Sequence, residues 1–184
     1  FLPILLIGAF AGPLIGHAQL PSSELHSLFP PVIVAGQTTE IALTGANLDE
    51  PSALHFSNPK ITAQPVLLPA TEFRKAPVPD GTKFQVTVPA DVAAGTVEVR
   101  TAGLFGLSTS RPLIIAKSGR TLLGDNAGGA HHQIKSAPEL AHDVLAYGRV
   151  DGNQTDWWKV SVKKGDRLLV HCHAERLDSQ ADAT

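Results

Sequence analysis

The residues best equipped for chemistry lie in the stretch Gly148 to Leu177 of this 184-residue chain. Cys172 stands between His171 and His173, and a thiol beside an imidazole is what a cysteine nucleophile requires. His171 and His173 also have the spacing at which one strand can offer two imidazoles to zinc. Trp157 and Trp158 supply aromatic surface for a sugar ring or a neighbouring domain. Asp125-Asn126, Asp151 and Asp156 carry the hard oxygens that calcium takes.

Strand alternation decides among these. The stretch reads as strands separated by turns, with Trp158, Val160 and Val162 on one face and Trp157, Lys159 and Ser161 on the other. Lys164-Gly165-Asp166 supplies turn chemistry, after which Leu168, Val170, Cys172 and Ala174 resume the apolar face. Adjacent strand residues point to opposite sides, so neither His171 nor His173 can act as base for Cys172. Cys172 is expected as a buried, inert thiol. His171 and His173 are expected as solvated histidines, because no third metal ligand is identifiable; His131-His132 is a weaker pair still. The Asp spacing fits no calcium loop and suits turn capping. Gly106-Leu107-Ser108-Thr109-Ser110 lacks the second glycine of a nucleophile elbow, and neither H-E-x-x-H nor a phosphate-binding glycine loop occurs. The sequence therefore assigns no catalytic, cofactor-binding or metal-binding residue. Trp158 goes to a core. Trp157 stays open, either covered by a neighbouring segment or exposed as a ligand contact.

Composition sets wider bounds. With 14 Pro, 16 Gly and no Met, the chain favours turns and short strands over helices. Hydrophobic content of 43% is enough for a buried core. A formal charge of −2 with no basic cluster excludes nucleic acid as a partner. Phe1 to Gly16 is apolar from its first residue, and Gly16 and Ala18 occupy the −3 and −1 positions of a signal-peptidase site. Pro3 and Pro13 interrupt it, and it is short for a span of about 20 residues. Export through a signal peptide is thus expected, with cleavage after Ala18 and membrane contact only through that segment. The basic region and initiator Met are missing, so the chain reads as a fragment truncated at both ends. Asn153-Gln154-Thr155 matches a glycosylation sequon.

The elements that would hold these residues are short strands. After an approach segment at 19–31, Thr39 to Thr44, Leu54 to Phe56, Thr62 to Leu68, Phe84 to Val88, Val97 to Val99 and Pro112 to Ala116 alternate or run apolar, each bounded by Gly, Pro, Asn or Asp. This spacing predicts an all-β fold with an Ig-like β-sandwich over 32–116. Ala70 to Thr82 reads as a surface loop and 117–140 as a linker. Strands are expected to resume from 141.

Two resemblances add to this. Pro31 to Gly36, Thr38 to Leu48 (TTEIALTGANL) and Pro89 to Thr109 (PADVAAGTVEVRTAGLFGLST) resemble an immunoglobulin-like TIG/IPT domain. The segment from Asp143 onward resembles the opening half of a bacterial pre-peptidase C-terminal (PPC) domain. It carries Gly148-Arg149-Val150, then Gln154-Thr155-Asp156-Trp157-Trp158-Lys159-Val160, then Lys164-Gly165-Asp166-Arg167-Leu168. The first resemblance implies a spacer or binding module without catalytic residues. The second implies an incomplete jelly-roll-like β-sandwich over 141–184; Gln154 stands where that family often has its first Asp. The order signal, TIG-like, PPC-like resembles large secreted planctomycete-type proteins. Together these imply a non-catalytic exported protein, secreted, periplasmic or on the cell surface. Its expected partners are an extracellular polysaccharide or protein and other domains of the same chain. The other reading is an accessory region of a secreted hydrolase or peptidase whose catalytic domain lies beyond residue 184.

Overall fold

A computed structural model describes residues 20–124, 132–149, 155–174 and 177. It is all-β: the described residues contain no α-helix, and a 3-10 turn spans Ile134–Ser136. No helix among them is long and apolar enough to cross a membrane. The signal segment at 1–18 lies outside the described residues.

Nine strands build the sandwich: β1 (Glu24–Phe29), β2 (Val32–Val34), β3 (Thr38–Ala46), β4 (Ala53–Phe56), β5 (Thr62–Leu68), β6 (Val78–Thr87), β7 (Gly95–Gly103), β8 (Gly106–Leu107) and β9 (Arg111–Ala116). One sheet has the order β1-β3-β6-β5. The other has the order β2-β9-β7-β4, with β8 added to β7. This is the arrangement of an immunoglobulin-like sandwich, in which the first strand divides between the sheets. The division falls at Pro30-Pro31, after the cis Phe29-Pro30 bond. Proline has no N–H to donate to a ladder, so pairing stops there. β1 then pairs antiparallel with β3, and β2 parallel with β9.

The expected alternation supplies the interior. Ile41, Leu43, Phe84 and Val86 from one sheet meet Leu54, Val97, Val99 and Leu113 from the other, all buried. Val88 closes the same core just beyond β6. The approach segment contributes more than its sequence suggests, because β1 buries Leu25 and Leu28. Those two are three residues apart, a spacing that breaks strict alternation. A bulge between Leu25 and Ser27 restores the inward direction. Its partner Gly45 admits this close approach: a Cβ there would lie 2.1 Å from the Glu24 carbonyl oxygen. The loop read over 70–82 is shorter than expected, since β6 already begins at Val78.

β2 is buried on both faces. Ile33 enters the sandwich core, whereas Val32 and Val34 face outward with Ala116 and form a second cluster. Leu122, Leu145 and Tyr147 cover that cluster. They come from β10 (Leu122–Gly124) and β11 (Leu145–Tyr147), which pair in parallel. Gly124 lies under the Tyr147 ring, whose hydroxyl would be 2.7 Å from a Cβ at that position. Tyr147 also meets Phe29 edge-on at 5.8 Å, and the Arg149 guanidinium stands 4.3 Å from the Phe29 ring centre. The start of the stretch read as a linker, at Leu122, is therefore packed against the sandwich.

The hairpin expected over Trp157 to Ala174 differs from what is observed. Its turn forms: the Asp166 amide donates to the Lys163 carbonyl, the Lys163 amide donates to the Asp166 carboxylate, and Gly165 takes a positive φ of 99°. The arms do not pair; Lys159 makes one isolated bridge, to Glu139. Leu168, Leu169 and Val170 remain exposed, Val170 by 72%. No described segment lies over their apolar face, and a two-stranded ribbon without such cover is marginal in water.

The core predicts its own weak point. Phe84 is fully buried at the centre of the larger cluster. Phe84→Ala is expected to lower unfolding free energy by about 3–5 kcal/mol, measured by urea denaturation. A loss below about 1 kcal/mol would contradict this packing.

Candidate binding surface

The sequence-derived candidates do not converge. Trp157 is 41% exposed, so the cover weighed against ligand contact is incomplete. Its segment is fixed from one side. The Leu140 amide donates to the Lys159 carbonyl at 2.8 Å, and the Lys159 amide donates to the Pro138 carbonyl at 2.9 Å. The Ser161 hydroxyl donates to Glu139 Oε1, and His142 Nε2 lies 2.9 Å from the Ser161 carbonyl oxygen. Trp158 is half-buried, short of the core position expected for it.

Cys172 requires a correction: it is exposed, not buried. The strand that would have turned it inward has no opposing layer. His171 is exposed and His173 half-buried. Asp156 pairs instead with His132, whose Nε2 lies 3.5 Å from Oδ1. Asp125, Asn126, His131, Asp151, Asn153 and Gln154 lie outside the described residues. Among the described residues no group of three or more His, Cys, Asp or Glu side chains is placed to hold a metal ion.

What the sequence did not reveal is a shallow groove of about 200 Å³ on the outer side of the five-stranded sheet. His55, Phe56, Ser57, Glu98 and Arg100 line it. The β4–β7 register sets His55 opposite Arg100. Leu54 and Val99 point inward, so their neighbours His55, Glu98 and Arg100 are left on the outer face. Ser57 and Glu98 are locked together: the Ser57 amide donates to the Glu98 carbonyl at 2.9 Å, and the Glu98 amide donates to Ser57 Oγ at 3.0 Å. Arg100 Nη1 donates to the Ser108 carbonyl at 2.8 Å, which holds the guanidinium along the sheet. A guanidinium, a carboxylate, an imidazole and the edge of Phe56 can together contact a polar, hydroxyl-rich ligand. The outward positions of Glu98 and Arg100 were legible from alternation. Their meeting with His55 depends on a register between segments more than 40 residues apart, which alternation does not encode.

Two carboxylates have their pKa values lowered, both by hydrogen-bond partners. Asp80 accepts hydrogen bonds from the Thr82 hydroxyl at 2.8 Å and the Thr82 amide at 3.0 Å. Asp91 accepts a hydrogen bond from the Lys60 ammonium at 2.5 Å, whose charge also favours the ionised form. Neither belongs to the groove.

No protein-family profile matches the chain. No curated protein matches it either. Among solved structures, the chain is similar to the mixed-linkage glucan utilization locus protein SGBP-B of Bacteroides ovatus, solved with a mixed-linkage heptasaccharide. Identity is 16% and the TM-score 0.35, over 67% of this chain and 26% of that one. The chain thus spans about a quarter of that structure's length. The class defined by the chain's own strands is an all-β protein with an Ig-like sandwich.

Exposure of Cys172 has a direct consequence. The native protein is expected to react with a thiol reagent such as Ellman's at a rate close to that of the urea-unfolded chain. Reaction only after unfolding would contradict the exposed position.

Proposed function

We propose that this chain is a non-catalytic exported protein whose β-sandwich modules serve binding or spacing at the cell surface or outside the cell. The observation that carries this reading is the chemistry of the sandwich interior. Its buried polar side chains are three hydroxyls, Ser23, Thr101 and Ser108. Each donates to a backbone carbonyl, of Asn47, Ala53 and Thr109 respectively. No ionisable side chain is buried among the described residues. Burial and close charge partners are the usual means of tuning a catalytic acid, base or nucleophile. A sandwich whose interior polar groups all serve the backbone suits mechanical and recognition roles.

One turn supports the TIG/IPT-like reading of residues 32–116. In the Gly45-Ala46-Asn47-Leu48 turn, Gly45 admits the β1 backbone, Asn47 takes a positive φ of 53°, and its side-chain amide donates to the Ser22 carbonyl at 2.9 Å. Leu48 packs against the core. The motif that carries the resemblance thus closes one end of the sandwich. The PPC-like reading of 141 onward is supported by the Lys163 to Asp166 turn. The ligand class proposed is an extracellular polysaccharide or protein, with the His55–Arg100 groove and Trp157 as contact surfaces.

Incubation of the purified chain with broad peptidase and glycosidase substrates tests the proposal. No turnover is expected; reproducible turnover that disappears on heat denaturation would overturn it. In native gels containing mixed polysaccharides, any retardation is expected to fall in Arg100→Ala or Trp157→Ala.

A further inference from the structure

Residues 69–77 join β5 to β6 and form the longest connection within the sandwich. The Leu68–Val78 pair of the β5–β6 ladder holds the two ends of this connection together. Every residue in it is exposed except Arg74, which is half-buried. A brace occupies its middle. The Thr71 amide donates to the Arg74 carbonyl at 2.7 Å, and the Arg74 amide donates to the Thr71 carbonyl at 3.1 Å. Arg74 Nη2 donates to the Pro69 carbonyl at 2.7 Å. The brace stops at Arg74: Lys75 and Ala76 enter no hydrogen bond or ion pair among the described residues. Pro77 follows, and a proline biases the residue before it, here Ala76, toward extended backbone.

An endopeptidase takes its substrate as an extended strand, so cleavage requires freeing a few residues on each side of the bond. The basic residues of 20–116 differ in what that takes. Lys83, Arg100 and Arg111 lie inside β6, β7 and β9. Lys83 Nζ is 3.2 Å from Glu40 Oε1, Arg100 is bonded to the Ser108 carbonyl, and Arg111 Nε donates to the Leu25 carbonyl at 2.8 Å. Lys60 is paired with Asp91, and the next residue, Ile61, is buried in the core. Arg74 has its amide, carbonyl and guanidinium committed to the brace. Lys75 alone combines an exposed side chain, an exposed following residue and a peptide group outside any ladder or turn bond. Phe73 is also exposed, but the bond after it lies within the braced turn.

We infer that the Lys75–Ala76 bond is an endoproteolytic processing site for a trypsin-like protease, one that selects a basic residue before the bond it cuts. Water adds across the amide, leaving a carboxylate on Lys75 and an amino group on Ala76, both at exposed positions where solvent receives the new charges. The cut leaves the fold in place. It divides the sandwich into β1–β5 and β6–β9, and the ladders β3–β6, β5–β6, β4–β7 and β2–β9 all join one piece to the other. Phe84 and Val86 from the second piece stay packed with Ile41 and Leu43 from the first. Processing therefore turns a single chain into a sandwich of two interlocked pieces. The inference goes beyond the proposed function and does not depend on it.

Limited digestion of the full chain with trypsin tests it, the cuts being located by intact mass. The first cut within 20–116 is expected after Lys75, with the two pieces separating on a denaturing gel and eluting as one species in native gel filtration. Lys75→Gln is expected to slow that cut by roughly tenfold, since Arg74 is reached only when the brace opens. Arg74→Gln, which removes the bond to Pro69, is expected not to slow it. The urea midpoint of the nicked sandwich is expected to rise with protein concentration, whereas that of the intact chain stays constant. A first cut elsewhere in the sandwich, or pieces that part on gel filtration, would overturn the inference. So would equal slowing by Arg74→Gln, or faster cleavage after Phe73 by chymotrypsin than after Lys75 by trypsin.

Discussion

The structure depends on how one short segment, 24–34, divides between two sheets. β1 pairs with β3 and β2 pairs with β9, so the segment ties the sandwich layers together along one side. The break is chemical: Pro30 and Pro31 cannot donate to either ladder, while the Pro31 carbonyl accepts from the Ile114 amide at 3.0 Å. Once the chain has crossed, alternation fixes the rest. Ile33 must enter the core, and Val32 and Val34 must then face outward. An outward apolar pair at a sheet edge costs free energy unless something covers it. Leu122, Leu145 and Tyr147 provide that cover, and the packing of β10 and β11 follows from the crossing.

The same division separates the structural and chemical parts of the molecule. Between the sheets lie aliphatic side chains, one phenylalanine and hydroxyls committed to the backbone. The ionisable groups lie outside, where solvent screens them. Chemistry at this surface is the chemistry of contact: a shallow groove along β4 and β7, and a fixed tryptophan. These are the surfaces that the proposed binding role would use.

Much of the sandwich was legible because its strands obey period two. Ile41 and Leu43, Phe84 and Val86, and Val97 and Val99 announced their direction in the sequence, and all are buried. β1 was not legible, since Leu25 and Leu28 follow alternation only across a bulge that no local pattern encodes. The covering role of β10 and β11 was hidden for another reason: Leu122 and Tyr147 acquire it from partners far along the chain. The groove was half visible, its outward residues evident but their meeting dependent on register. Over 157–174 the local pattern was strong and still did not yield strands. Alternation reports which face would be buried, and burial needs an opposing layer. Cys172 followed the pattern into an expectation of burial and is exposed for lack of that layer.

If the crossing segment governs the fold, then β1, β2, β9 and the β10–β11 pair share one cooperative unit. Residue-resolved native-state hydrogen exchange of the full chain measures this directly. The amides of Ala35, Ile114 and Leu145 donate to Ala116, Pro31 and Thr121 respectively. All three are expected to exchange with a common opening free energy that falls in parallel with added denaturant. Exchange of the Leu145 amide near the unprotected rate, with Ala35 and Ile114 still fully protected, would contradict the account.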